Sequence, residues 1–378
     1  MRLFLRSNHP IAHWWRCVDR GALLLLVILL GFSAAVSVSA SAAVSGSYDV
    51  DTYYFARRQF LFLLGAVPVM LFFSFLSVPG VRNLAIILFL LAMSGVLFTL
   101  MGGAEVKGAQ RWIDIFGFRL QPSELLKPAF VVVTGWLMSA QDPEGRIKGF
   151  FISGALLFGI ALLLLLQPDF GMFMLISLIW FGQMFFANLA PFLLMGLLSI
   201  VFMLMSVGYV FLPHVRSRLS RFVDPASGDS YQVDRAQQAF VDGGLFGRGP
   251  GEGVVKSLVP DAHTDFILAV IAEEYGIITC LLLLIVYSML MMRLFTKLIE
   301  ADDRFSALAG SGLLLLFGMQ VMINMGVALN LLPTTGMTLP FISYGGSSML
   351  AMAITMGFLL ALTRRKRDGF VNGKKTKS

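Results

Sequence analysis

Long apolar runs separated by shorter polar intervals recur along the whole chain. They fall at Gly21–Val44, Phe60–Val78, Leu84–Met101, Ser123–Ser139, Phe150–Leu166, Phe170–Ala187, Phe192–Leu212, Phe266–Phe295, Phe305–Leu329 and Ser347–Thr363. Each comes close to or passes the ~20 residues that cover ~30 Å of hydrocarbon at helical rise. Backbone in lipid must satisfy its own hydrogen bonds, so such runs form helices. The pattern predicts an all-α polytopic membrane protein with ten transmembrane helices and one large extracytoplasmic loop between helices 7 and 8.

The same pattern divides a single membrane domain, residues 1–378, into an N-terminal segment 1–20, helices 1–7 within 21–212, a loop 213–264, helices 8–10 within 265–363 and a basic tail 364–378. The loop is too short, and too rich in glycine and charge, to bury a core of its own. The basic start and the small residues Ser39–Ala43 also fit a cleavable signal peptide. Gly21–Val44 exceeds the usual signal-peptide core, however, and reads as a permanent helix.

Composition sharpens this picture. With 57% hydrophobic and 13% charged residues and a mean hydropathy of +0.80, a water-soluble domain is excluded. The net charge of +7 does not point to nucleic acid, because much of it lies in Arg364–Arg367, Lys374, Lys375 and Lys377, a tail suited to an anionic cytoplasmic leaflet. An even number of spans places both termini on one side. Lys and Arg number 17 on that side and 11 on the other, so the termini are expected in the cytoplasm. Segments 102–121, 167–169, 214–264 and 331–346 then share the outer face. Cys17 and Cys280 are badly placed for a disulfide, and neither has the company of ligands that a metal site requires.

Chemistry concentrates on that outer face. Asp265 is the last ionisable residue before an apolar run, where a carboxylate is either functional or a helix cap. Glu124 and Lys127, three residues apart after Pro122, share a helix face and can pair, with Pro128 allowing a bend just beyond. Asp169, in the short turn Gln167-Pro-Asp169, suits a helix N-terminus. The glycine-rich stretch 243–253 lacks the Gly-Lys-Ser/Thr of a phosphate loop, though Arg235, Arg248 and Lys256 could meet anions. Glu273 and Glu274 fit a proton pathway or structural glue. Gly345 and Gly346 fit an anion nest or a tight turn.

Six blocks occur in order: Lys107-Gly-Ala-Gln-Arg-Trp112, Gln121-Pro-Ser-Glu124 with Lys127, Gln167-Pro-Asp169, Gly243-Gly-Leu-Phe-Gly247, His263-Thr-Asp-Phe266 and Ile342-Ser-Tyr-Gly-Gly346. Together they resemble the SEDS family (shape, elongation, division and sporulation), and within it the division branch of an alphaproteobacterium. Departures lie at Phe170 and Met172, around the Asp169 turn. The resemblance implies a peptidoglycan glycosyltransferase that polymerises lipid II at the outer face of the cytoplasmic membrane, with Asp265 at the catalytic position and Glu124 and Lys127 as a functional membrane pair. It also implies a class B penicillin-binding transpeptidase, FtsI, and other division proteins as partners, at the septum.

Asp265 is accordingly the candidate general base. The substrate-binding candidates are Lys127, Glu124, Arg111, Gln121, Asp169, His263, Ser343, Gly345 and Gly346. No metal ligands are assigned, although a divalent cation (Mg or Mn) would suit a diphosphate leaving group. Two other readings stay open: a lipid II flippase using Lys127, Glu273 and Glu274 as a mid-membrane path, and a non-catalytic scaffold for a transpeptidase.

Overall fold

A computed structural model describes residues 10–46, 49–106, 109–115, 117–140, 142–188 and 231–364. A short α1 (Pro10–Cys17) precedes the long helices α2 (Arg20–Ser45), α3 (Tyr54–Ser74) and α4 (Val78–Gly102). After a small sheet come α5 (Pro122–Met138), α6 (Pro143–Leu166) and α7 (Phe170–Phe186), and then α8 (Tyr231–Gly243), α9 (Ile267–Ile299), α10 (Arg304–Ala328) and α11 (Gly346–Leu362). Nine of the ten apolar runs thus form helices. The run Phe192–Leu212, the first part of the large loop, Lys107 and Gly108 of the first block, and the basic tail beyond Arg364 lie outside the described residues.

Local chemistry sets the helix starts. Asp19, Ser77, Asp142, Asp169 and Asp303 each accept a backbone N–H of the first turn, satisfying one of the orphan donors there. Six helices among the described residues, α2, α3, α4, α6, α9 and α10, are long and apolar enough to cross a membrane. The helices α5, α7 and α11 have 17 residues each. α5 and α11 form the middle of the bundle, and nearly every one of their side chains is buried. Small residues let backbones approach: a Cβ on Gly135 of α5 would stand 2.8 Å from the Ala309 backbone of α10, and one on Gly357 of α11 would stand 2.8 Å from the Met70 carbonyl of α3.

The helical reading missed two elements. Segment 104–120 is a three-stranded antiparallel sheet, β1 (Ala104–Val106), β2 (Ala109–Ile115) and β3 (Phe118–Leu120), with Ile113 paired to Leu120 and Asp114 to Arg119. Within the large loop, Ala236, Ala239 and Gly243 form the buried stripe by which the otherwise polar α8 packs on the bundle.

Helix α9 is broken. Gly276 has φ +81° and ψ 169°, values outside the helical range, and frees the ladder on either side. The glycine-rich stretch fills the gap: Ile277 and Ile278 donate to the carbonyls of Gly244 and Leu245, while Arg248 and Gly249 donate to those of Glu273 and Glu274. The side chains lock the same union. The Glu273 carboxylate accepts the N–H groups of Val254, Val255 and Lys256 at 2.6, 2.7 and 2.6 Å, and Glu274 pairs with the buried Lys256 ammonium. Of the two readings open for these glutamates, the geometry is that of structural glue.

Candidate functional site

The turn before α9 carries the central carboxylate. Asp261, at φ +54°, offers its carbonyl to the N–H groups of Thr264 and Asp265, closing a tight turn. Helix α9 starts at Ile267 with Phe266, whose side chain cannot accept a hydrogen bond, at the cap position and Asp265 one residue before it. Its backbone is pinned from α10, because the Asn324 amide donates to the Asp265 carbonyl at 2.9 Å and to the Met337 carbonyl at 2.7 Å. The half-buried carboxylate looks onto Gly336: a Cβ there would lie 3.9 Å from Asp265 Oδ2, and the glycine's φ of +74° favours a residue without one.

Neighbouring candidates build the walls of this turn. Ser343 is buried, accepts the Leu339 N–H at 2.8 Å and donates to the Thr264 carbonyl at 2.6 Å, so it ties the segment before α11 to the turn. The His263 carbonyl accepts the Tyr344 N–H at 2.8 Å, and the imidazole is buried between the rings of Phe55 and Tyr344. Gly345 takes the cap position of α11, and Gly346 packs its bare backbone on Phe62, 2.8 Å from where a Cβ would stand. Ser347 lies in the first turn of α11. It accepts the Gln121 N–H at 2.9 Å and donates to the Arg119 carbonyl at 3.2 Å, coupling α11 to the head of α5.

A second cluster lies across the segment 335–337. Lys127 is fully buried with its Nζ 2.8 Å from Glu124 Oε2, and neither of these two atoms has a hydrogen bond beyond that ion pair. Arg111 on β2 reaches the turn between α6 and α7: it donates to the carbonyls of Gln167 (2.9 Å) and Pro168 and stands 3.5 Å from Asp169 Oδ2. Asp169 caps α7 through the Met172 N–H at 3.3 Å. Burial pushes its carboxyl above the ordinary range against the pull of Arg111, and the charges of Glu124 and Lys127 are also felt there. Next to it, Gly171 abuts Thr335, whose carbonyl would be 2.8 Å from a Cβ. The segment 335–337 thus meets Asp265 at Gly336 and the start of α7 beside Asp169 at Thr335 and Met337.

The cations read from the large loop are occupied within it. Besides the buried Lys256, Arg248 pairs with Asp242 at 3.1 Å, and Arg235 donates to Gln238 and lies over the Tyr231 ring. Among the described residues no group of three His, Cys, Asp or Glu could hold a metal ion.

This arrangement of helices and polar blocks has counterparts. Residues 20–368 match the FtsW, RodA and SpoVE family of cell cycle proteins. The chain belongs to that family. It is 39% identical to a Caulobacter vibrioides protein named "Probable peptidoglycan glycosyltransferase FtsW", covering 97% of this chain and 95% of that one. A Tolumonas auensis protein of the same name is 32% identical, with 92% and 93% covered. Among solved structures the family fold recurs in a chain of a peptidoglycan synthase complex that coordinates polymerization and crosslinking, with TM-score 0.76, 26% identity and coverage of 92% and 97%. It recurs again in Thermus thermophilus rod shape determining protein RodA, with TM-score 0.68, 26% identity and the same coverage. The alphaproteobacterial relative agrees with the branch expected from the motifs.

Proposed function

We propose that this chain is a division-type peptidoglycan glycosyltransferase that polymerises lipid II at the outer face of the cytoplasmic membrane. Three things support the reading: membership of the family, the names of its relatives, and a carboxylate held between a membrane helix and an exposed glycine of the segment 333–345. The last observation carries the mechanism. Asp265 takes the proton from the acceptor 4-hydroxyl as that oxygen bonds to the anomeric carbon of the donor and the bond to the lipid diphosphate breaks. The departing diphosphate needs positive charge, and among the described residues Lys127, paired with Glu124, and Arg111, paired with Asp169, are the candidates to supply it.

An apolar groove of about 510 Å³ runs between α8, α9 and α10, walled by Phe240, Leu268, Cys280, Leu284, Met325 and Leu329. Leu268 and Met325 neighbour Asp265 and Asn324 in sequence, so a polyprenyl chain in this groove would bring its head group to the carboxylate. In this reading both termini are cytoplasmic, the single domain keeps its large loop outside, and the class B transpeptidase FtsI docks on the complex at the septum.

The test is polymerisation of labelled lipid II by the purified protein, with and without the transpeptidase, comparing wild type with Asp265→Asn. Loss of glycan strands in the variant is expected; unchanged strands would remove Asp265 from the mechanism. Transfer of lipid between liposome leaflets without polymer would favour the flippase. Against that rival, the Glu273 and Glu274 carboxylates are bound to residues 254–256 and not available as a path.

A further inference from the structure

Gln320 lies in the middle of α10, fully buried, and neither its amide oxygen nor its amide nitrogen has a hydrogen-bond partner. Leaving a buried amide unpaired costs on the order of 1–3 kcal/mol per group, so an uncompensated one in a packed bundle requires a reason. The direction in which it points follows from the helix register. Ala309 of α10 touches Gly135 of α5, and the helices run antiparallel, Gly312 meeting Val131 further along. Gln320 is eleven residues after Ala309, and Glu124 is eleven residues before Gly135. Eleven residues return to within about 20° of the same face after a rise of about 16 Å. For straight helices the two positions come near the same level on the facing sides of α10 and α5.

Further unsatisfied polar atoms lie on these same stretches of α5 and α10. Ser123 Oγ, Glu124 Oε2, Lys127 Nζ and both amide atoms of Gln320 are buried without a hydrogen bond, and one turn further on Asn324 Oδ1 is in the same condition above the nitrogen that holds the Asp265 carbonyl. Buried polar groups of this kind are ordinarily satisfied by ordered water, each molecule making about three hydrogen bonds. The charged and titratable groups on segments packed against α10 are Glu124 and Lys127 on α5, Asp169 at the head of α7, Tyr231, Asp234, Arg235 and Asp242 on α8, Asp265 in the turn that Asn324 holds, and Glu273, Glu274, Tyr275, Cys280, Tyr287, Arg293 and Lys297 on α9. α11 carries none. Of these, Glu124 and Lys127 are the ones on Gln320's level of the α5 face.

We propose that Gln320 is a positioning residue of the transferase site, the third member of a buried hydrated unit with Glu124 and Lys127, which it orients through bridging water. The inference rests on the glycosyl-transfer reading and deepens it. Holding a polar amide and its water in the packed bundle is a local cost retained because it fixes where the Lys127 ammonium stands during turnover, the stability given up for activity that functional sites commonly show.

That trade gives a test which packing alone would fail. In the full chain with its transpeptidase, Gln320→Met keeps the side-chain length and removes both unsatisfied atoms. Its thermal midpoint in detergent should hold or rise, while the turnover rate on labelled lipid II falls about 10-fold or more, the scale expected of a misplaced catalytic group. Gln320→Glu is the second variant. Protonated, its carboxyl presents a donor and an acceptor as the amide does; ionised, it competes with Glu124 for Lys127. Its rate relative to wild type should climb as pH falls. The proposal is overturned if Gln320→Met polymerises within twofold of wild type, if its midpoint and activity fall together, or if the relative rate of Gln320→Glu is flat with pH. Should wild type itself make no polymer, it is the transferase reading that fails, before either variant is considered.

Discussion

Asn324 joins two segments distant in sequence, its one amide nitrogen lying 2.9 Å from the carbonyl oxygen of Asp265 and 2.7 Å from that of Met337. The distance from the carboxylate to Gly336 is set by this shared donor. Asn324→Ala strands both carbonyls, a loss of about 1–3 kcal/mol for each that stays buried. We expect a thermal midpoint several degrees lower and a turnover rate on lipid II depressed by about 10-fold or more through displacement of the turn. A calorimetric scan and a polymerisation assay on one preparation separate the two effects. Full activity at a lowered midpoint would show that the turn holds its place unaided.

Gly276 has a φ of +81° in the middle of α9, and a side chain there would overlap the Leu245 carbonyl and the Gly247 nitrogen. Gly276→Ala therefore meets both backbone strain of about 1–2 kcal/mol and a backbone clash that no rotamer relieves. Folded yield from membranes should collapse, and the fraction that survives should show faster proteolysis of residues 243–256. Wild-type yield with an intact loop would mean that the two halves of α9 can join without the glycine stretch.

Lys256 and Glu274 form a buried ion pair, 4% and 1% exposed. Removing one partner leaves a charge without compensation and typically costs about 3–5 kcal/mol, whereas replacing both with apolar or neutral groups is often close to neutral. Lys256→Met should thus destabilise strongly, and adding Glu274→Gln should recover most of the loss. The double-mutant cycle on thermal midpoints measures this directly; additive losses would place the two side chains outside each other's influence.

Asp19 caps α2 and meets Arg293 of α9 at 3.0 Å. Burial alone would raise its carboxyl, but the hydrogen bond and charge of Arg293, with the Ala22 N–H, outweigh it and hold the group below its ordinary 3.8. A pKa lower in the folded than in the unfolded state contributes stability that is present above 3.8 and fades as pH drops through the folded value. The midpoint gap between wild type and Asp19→Asn should be full at neutral pH and shrink under acid. A gap that widened on acidification would contradict the assignment.

Much of the architecture could be read from the residues because the bilayer writes it plainly: a span needs about 20 apolar residues whatever its neighbours are. Asp265 was visible as the last charge before such a run, and the Glu124–Lys127 pair as two residues on one helix face. The rest depended on partners distant in sequence. The strands β1 and β3 exist only through pairing with β2 between them, and α8 hides its small buried stripe of Ala236, Ala239 and Gly243 under a polar composition. Lys256 looked available for anions because its partner Glu274 stands 18 residues further on, beyond the turn that opens α9, whereas Tyr231 and Asp242 lay within reach of Arg235 and Arg248 in the sequence itself. Gln320 gave no local signal either, since a lone glutamine in an apolar run becomes informative only when α5 is seen beside it.

The discontinuity in α9 bears on how the protein would respond to its lipid surroundings. A bilayer of altered thickness changes the tilt of helices that traverse it. The glycine stretch holds both sides of the break, Ile277 and Ile278 through Gly244 and Leu245, and Glu273 and Glu274 through Arg248 and Gly249, so only the limb beyond Ile278 can lean with the membrane. The clamp around Gly276 would thus insulate the carboxylate from mismatch, and turnover in vesicles of shorter or longer acyl chains should change far less than the orientation of the lower limb.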